Sequence, residues 1–146
     1  MNMKDTILLV EDNQDDVELT LEAFRTSRIS NPVIVARDGA EALDILFGDD
    51  KAGRLPLQEL PAVVILDLNL PKVSGIDVLR AVRENERTRL LPVVILTTSV
   101  EDRDVVGAYE SGANSYVRKP VAFEDFHTAV GRLGLFWLLT NVRPAL

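Results

Sequence analysis

Val63-Val64-Ile65-Leu66-Asp67 is the stretch that decides the fold: four aliphatic residues without a polar interruption, closed by an acid. A strand with one wet face alternates apolar and polar residues. A continuous β-branched and aliphatic run instead fits a strand buried on both faces, as in a parallel sheet covered by helices. The pattern recurs on either side. Ile7-Leu8-Leu9-Val10 runs into Glu11-Asp12, Val93-Val94-Ile95-Leu96 into Thr97, and Tyr116-Val117-Arg118 into Lys119. Parallel strands present their carboxyl ends at one edge, so two acids, a hydroxyl and an amine are expected to share one pocket there.

Helical segments separate these runs. Asn13 to Asp16 supplies caps and acids, and Val17, Leu21 and Phe24 recur at helical spacing through about Ser27. Asn31-Pro32 breaks the chain before Val33-Ile34-Val35-Ala36, after which Ala40, Leu43, Leu46 and Phe47 form a stripe over Gly39 to Phe47. Gly48 to Pro61 is longer than a usual connection, suiting a contact loop or a short extra helix. Ile76, Leu79 and Val82 define a third helix, and Glu101-Asp102 opens a fourth that holds Val105, Val106 and Tyr109, with Gly112 as its C-cap. The fifth runs from Phe123 or Glu124 to Leu139, with Phe126, Ala129, Val130, Leu133 and Trp137 facing the core. Five strand–helix repeats predict an α/β fold, a doubly wound parallel sheet with right-handed crossovers.

Bulk properties narrow the function. At 146 residues and 47% hydrophobic content the chain is expected to form one domain over 1–146. Its net charge of -7 and lack of a Lys/Arg cluster argue against direct nucleic-acid binding. With no Cys and His127 as the single histidine, thiolate chemistry and histidine metal clusters are excluded, leaving oxygen and amine chemistry. The start of the chain carries no signal-peptide pattern and no apolar stretch is long enough to span a bilayer, so a soluble cytoplasmic protein is expected.

Leu9-Val10-Glu11-Asp12-Asn13, Leu66-Asp67-Leu68-Asn69-Leu70-Pro71 with Gly75, Leu96-Thr97-Thr98-Ser99 and Tyr116-Val117-Arg118-Lys119-Pro120 together resemble the receiver domain of two-component response regulators, over roughly residues 5 to 130. Each motif is weak alone; in this order, with these helices between them, they are specific. The resemblance implies a flavodoxin-like (βα)5 receiver fold with strand order 2-1-3-4-5. The long Gly48 to Pro61 connection, Thr97-Thr98-Ser99 and the tail Phe136-Trp137-Leu138-Leu139-Thr140-Asn141 resemble more narrowly the single-domain regulators partnered with bacterial phytochromes.

From that resemblance Asp67 is expected to accept a phosphoryl group from a sensor histidine kinase, of the phytochrome type in the narrower reading. A carboxylate can form a mixed anhydride with phosphorus and surrender it to water. Glu11, Asp12 and Asp67 crowd three carboxylates, which calls for a cation. Mg²⁺, or Mn²⁺ or Ca²⁺ in its place, would be held by Asp12, Asp67, Glu11 through water and the backbone carbonyl of Asn69. Glu11 and Asp12 also suit acidic capping of the first helix, a role that accounts better for Asp15 and Asp16. Lys119 would pair with Asp67 at rest and with the phosphoryl group afterward. The family holds the following X-Pro bond, here Lys119-Pro120, cis. Thr97 as hydroxyl donor and Tyr116 as switch aromatic would turn the phosphoryl group into a surface change, although a strand-end Thr and a core Tyr are also ordinary structural choices.

The result expected is a phosphoacceptor switch and no turnover enzyme. A Mg²⁺-dependent phosphatase of haloacid-dehalogenase type is the alternative, yet its nucleophile normally ends the first strand within Asp-x-Asp, whereas Asp67-Leu68-Asn69 follows the third. A flavodoxin-like cofactor binder would need a small, hydroxyl-rich loop where Glu11 to Asp16 stand. Leu135, Phe136, Leu138 and Leu139 make the last helix apolar beyond its core stripe. It either folds back over the sheet edge or forms a homodimer with the fourth helix, fifth strand and fifth helix, through residues 123–146. His127 is expected to be exposed.

Overall fold

The computed structural model describes residues 5–48 and 60–144. Five strands, β1 (Ile7–Val10), β2 (Val33–Ala36), β3 (Val63–Leu66), β4 (Val93–Thr97) and β5 (Ser115–Arg118), alternate with five helices. These are α1 (Gln14–Thr26), α2 (Gly39–Phe47), α3 (Gly75–Glu84), α4 (Asp102–Glu110) and α5 (Phe123–Leu135). The sheet is parallel throughout, in the order β2-β1-β3-β4-β5. The extra helix considered for the long connection falls on residues 49–59, outside the described residues.

Continuous aliphatic strands produce two cores, one per face. Leu8, Val10, Val64, Leu66, Val93 and Ile95 point to one side, where α2 and α3 cover them with Ala42, Leu46, Val78, Leu79 and Val82. Ile7, Leu9, Val63, Ile65, Val94 and Leu96 point to the other, against Val17 and Phe24 of α1 and Phe126, Val130 and Leu133 of α5. Strand side chains alternate faces, so a run with no polar member is what two buried faces demand.

Helices α1 and α5 pack with little between them. A Cβ on Gly131 would stand 2.5 Å from Ser27 Oγ, and one on Gly134 would stand 2.5 Å from Ile29 Cδ1 and 2.9 Å from the Phe24 ring. Both glycines thus admit the neighbouring segment where any side chain would hold it off.

The fold settles how α4 is seated and corrects the extent of the last helix. Ala108 is the buried residue of α4, while Val106 and Tyr109 are 53% and 50% exposed. The helix is turned so that the 105/108 stripe faces in; Val106 and Tyr109 lie one residue further round, about 100° away. The fifth helix does not continue to Leu139: it ends at Leu135 and a π-helical turn spans Phe136–Thr140. That widening leaves Phe136 and Leu139 exposed while Trp137 and Leu138 pack on the second core. Gly112 follows the α4 cap with φ +104, and Ala113 N donates to Ala108 O at 3.0 Å, a left-handed helix stop.

Candidate functional site

The sheet ladder extends one residue past the strands, and that is what fixes the polar terminators. Glu11 N donates to Ala36 O (2.9 Å), Asp67 N to Val10 O (3.1 Å) and Lys119 N to Thr97 O (2.7 Å). Each side chain that matters is therefore tied to a neighbouring strand by its own main chain. The loops leaving the strands are closed by capped helices: Asn13 accepts from Asp16 N, Asp38 from Glu41 N, and Ser74 from Asp77 N. Gly75 N donates to Leu68 O at 3.0 Å, and the missing Cβ at Gly75 leaves room for the Asp67 carbonyl and Leu68 Cα.

Asp67 sits at the centre and is buried. Its Oδ1 accepts from Thr97 Oγ1 at 2.9 Å and Asn69 N at 3.1 Å, and its Oδ2 from Lys119 Nζ at 3.0 Å. Lys119 reaches back across the ends of β4 and β3 to bond Glu11 Oε1 and Asp16 Oδ2 as well, the latter at 2.9 Å. All three ammonium protons are thereby engaged with carboxylates. Glu11 uses its second oxygen to accept from Asn13 N at 3.1 Å.

Burial and crowding shape the charges. Burial pushes Glu11 up from its ordinary 4.5 to about 7, the Lys119 hydrogen bond works the other way, and the nearby Asp67 charge raises it further. Burial works against the charged Lys119 ammonium too, but its hydrogen bonds to Glu11 and Asp16 and the charge of Asp67 outweigh it, so its pKa is raised.

Glu11, Asp12 and Asp67 bring carboxylate oxygens within 4.8 Å of one another, with Asp12 exposed at the rim. All-oxygen donors, one of them water-facing, suit a hard divalent cation. The site therefore fits a hard divalent cation. Asn69 meets the cluster through its main chain, its side chain being exposed.

Tyr116 lies half-buried on the first-core side, its hydroxyl donating to Ser99 O at 2.9 Å. Burial raises its pKa, the Ser99 bond opposes this, and the Asp104 and Asp67 charges add to the rise. Ser99 Oγ in turn donates to Asp104 Oδ2 at 2.5 Å, binding the β4–α4 loop to the first turn of α4. Thr97 thus faces Asp67, and Tyr116 packs against the first core.

All the expected residues meet at one edge, with Glu11, Asp12, Asp67, Asn69, Thr97 and Lys119 in one cluster and Tyr116 beside it. Three details differ. Asp16, expected to serve as a helix-capping acid, contributes its carboxylate to Lys119; its place at the third helical position, one turn beyond Asp12, was the available signal. The Lys119–Pro120 bond is trans, since no cis peptide occurs among the described residues. Lys119 is held inward by its main-chain bond to Thr97 and by three carboxylates. His127 is half-buried, its ring 6.2 Å from that of Phe123.

Residues 7–131 match the family model of the response regulator receiver domain. The chain is 43% identical to the probable methanogenesis regulatory protein FilR2 of Methanothrix harundinacea, covering 94% of this chain and 86% of that one. It is 38% identical to the response regulator Rcp1 of Synechocystis sp., over 99% and 96% of the two chains. The crystal structure of Mn²⁺-bound Rcp1 superposes with a TM-score of 0.87 at 37% identity, covering 97% and 99%. That of the phosphorylated cyanobacterial phytochrome response regulator RcpA gives 0.88 at 33%, again over 97% and 99%. These similarities leave the haloacid-dehalogenase alternative without support, in agreement with the position of Asp67 after the third strand. Strand order, the acid, hydroxyl and amine at one sheet edge, and the family match agree: this chain belongs to the response regulator receiver domain family.

Proposed function

We propose that Asp67 is the phosphoacceptor of a Mg²⁺-dependent switch loaded by a sensor histidine kinase of the phytochrome type. The observation that carries this is the setting of Asp67: a buried carboxylate with a hydroxyl and an ammonium on its two oxygens and two further acids beside it. An Asp67 oxygen attacks phosphorus as the bond from phosphorus to the donor breaks, and the donor leaves with the electron pair. Thr97 and Lys119 then donate to the oxygens of the new phosphoryl group. Asp12, Asp67, the Asn69 carbonyl and Glu11 through water would hold Mg²⁺, which would supply neutralising charge; Mn²⁺ or Ca²⁺ would substitute. Water later hydrolyses the anhydride, so the chain acts on itself and turns over no external substrate.

The output is a changed surface around α4, β5 and α5, communicated from Thr97 through Tyr116 and Ser99. Exposed Val106 and Tyr109 on α4 and exposed Phe136 and Leu139 beyond α5 support a homodimer through this region and the tail. The phytochrome-type kinase is favoured by the similarity to Rcp1 and RcpA over nearly the full length of each. A single receiver domain over 1–146, acting in the cytoplasm without nucleic acid, is consistent with the net charge of -7 and with the absence, among the described residues, of a helix long and apolar enough to cross a membrane.

Incubation with acetyl phosphate and Mg²⁺, followed by intact-mass measurement, tests the assignment. Wild type gains one phosphoryl group and Asp67→Asn gains none; equal gain by both would overturn it. Sedimentation of wild type beside Phe136→Ala/Leu139→Ala tests the dimer, which fails if the two have the same mass.

A further inference from the structure

Lys119 has three N–H donors and three carboxylate partners, so a phosphoryl group arriving on Asp67 finds only the donor that faces Asp67, and a second one only if Glu11 or Asp16 lets go. For that second donor one partner has to be released. Burial distinguishes the three: the side chains of Glu11 and Asp67 are 4% and 9% exposed, whereas that of Asp16 is 25% exposed. Glu11 left without the ammonium would be a buried charge with one main-chain partner, a costly state. Asp16 stands at the mouth, where water replaces a lost ammonium.

Asp16 is also built to let go without disturbing its helix. Its main chain carries the structural duties, with N–H donating to Asn13 Oδ1 at 3.0 Å and C=O accepting from Thr20 Oγ1 at 2.7 Å. The carboxylate has no part in either bond. We infer that Asp16 is a positioning residue which holds the third Lys119 proton at rest and competes with the incoming phosphoryl group for it. This rests on the reading of Asp67 as phosphoacceptor. Asp16 thereby slows loading: it occupies the donor the phosphoryl oxygens need and adds negative charge where an anionic donor must enter.

The test compares wild type, Asp16→Asn, Asp16→Glu and Asp15→Asn. Asp15 is exposed, so its variant removes the same charge one residue away. Initial rates of phosphoryl gain from acetyl phosphate at saturating Mg²⁺ are followed by intact mass; the Asp67 oxygen–phosphorus bond forms as the donor's phosphorus–oxygen bond breaks and acetate leaves. Asp16→Asn is expected to load about three- to fivefold faster, the scale of a partly exposed ion pair. Asp16→Glu, which keeps a carboxylate within reach of Lys119, is expected to return toward the wild-type rate, and Asp15→Asn to match wild type. In the metal-free proteins, the Lys119 ammonium protons, observed by ¹⁵N-resolved NMR, are expected to exchange with water faster in Asp16→Asn only. An Asp16→Asn rate equal to or below wild type, equal acceleration by Asp15→Asn, or unchanged Lys119 exchange overturns the inference while leaving Asp67 in place. A wild type that takes no phosphoryl group overturns the reading of Asp67 itself.

Discussion

The Tyr116 hydroxyl donates to the carbonyl oxygen of Ser99 at 2.9 Å, so the edge strand β5 is tied to the loop that leaves β4 two residues after Thr97. A hydrogen bond of this kind contributes about 1 kcal/mol net. Tyr116→Phe keeps the ring in its place and removes only that bond. Stability in urea is expected to fall by about 1 kcal/mol, and amide hydrogen exchange is expected to accelerate over Ser99 to Asp104, with β1 and β3 unchanged.

Removing the ammonium has a larger effect. Lys119→Met leaves Glu11 and Asp67 buried with no cation between them, and breaking a buried pair in this way costs about 3 to 5 kcal/mol. The loss should appear in urea unfolding with chelator present and shrink when Mg²⁺ is added, because the cation then neutralises the same carboxylates. An equal loss with and without Mg²⁺ would separate Lys119 from the metal-binding acids.

The raised Glu11 pKa has a signed consequence. A folded value near 7 against an ordinary 4.5 means that the folded, metal-free protein binds the Glu11 proton more tightly than the unfolded chain does. The resulting stability is fully present below pH 4.5 and is lost as the pH rises through about 7. With chelator, wild type is expected to lose stability across that window relative to Glu11→Gln. Because metal binding favours the carboxylate, Mg²⁺ affinity should rise over the same range in wild type and less so in the variant.

Gly75 tests how the loop positions Asp67. A Cβ there would overlap the Asp67 carbonyl oxygen and Leu68 Cα, both main-chain atoms that cannot rotate away. Gly75→Ala is expected to destabilise the protein by about 1 to 3 kcal/mol and to slow phosphoryl gain in the surviving folded fraction. Gly107→Ala, inside α4 with open space around it, serves as the control: it is expected to raise stability by about 0.5 to 1 kcal/mol and to leave phosphoryl gain unchanged.

The strands and their polar ends were legible in the sequence because a run of aliphatic residues closed by one polar residue states two things at once. It fixes burial on both faces and marks the end where the chain leaves the core. What the sequence did not convey depends on side-chain reach and helix rotation. Asp16 looks like any acid in the first turn of a helix; its place one turn beyond Asp12 marks the side it faces, but not that its carboxylate bends to an amine more than a hundred residues away. Val105, Val106 and Tyr109 are equally apolar on paper. Only the seating of α4 on Ala108 decides that the latter two face outward. The change from α to π geometry at Phe136 similarly has no breaker residue to announce it; neither Gly nor Pro lies between Leu135 and Thr140.

The close approach of α1 and α5 at Gly131 and Gly134 gives the molecule a stator. With glycine main chain against side chain and no layer between, that flank is closely packed, whereas α4 seats only Ala108 fully, with Val105 partly buried beside it. Added bulk at Gly131 or Gly134 would push α1 and α5 apart, whereas added bulk at Val106 or Tyr109 of α4 would meet solvent. The two faces of one sheet thus tolerate change to different degrees.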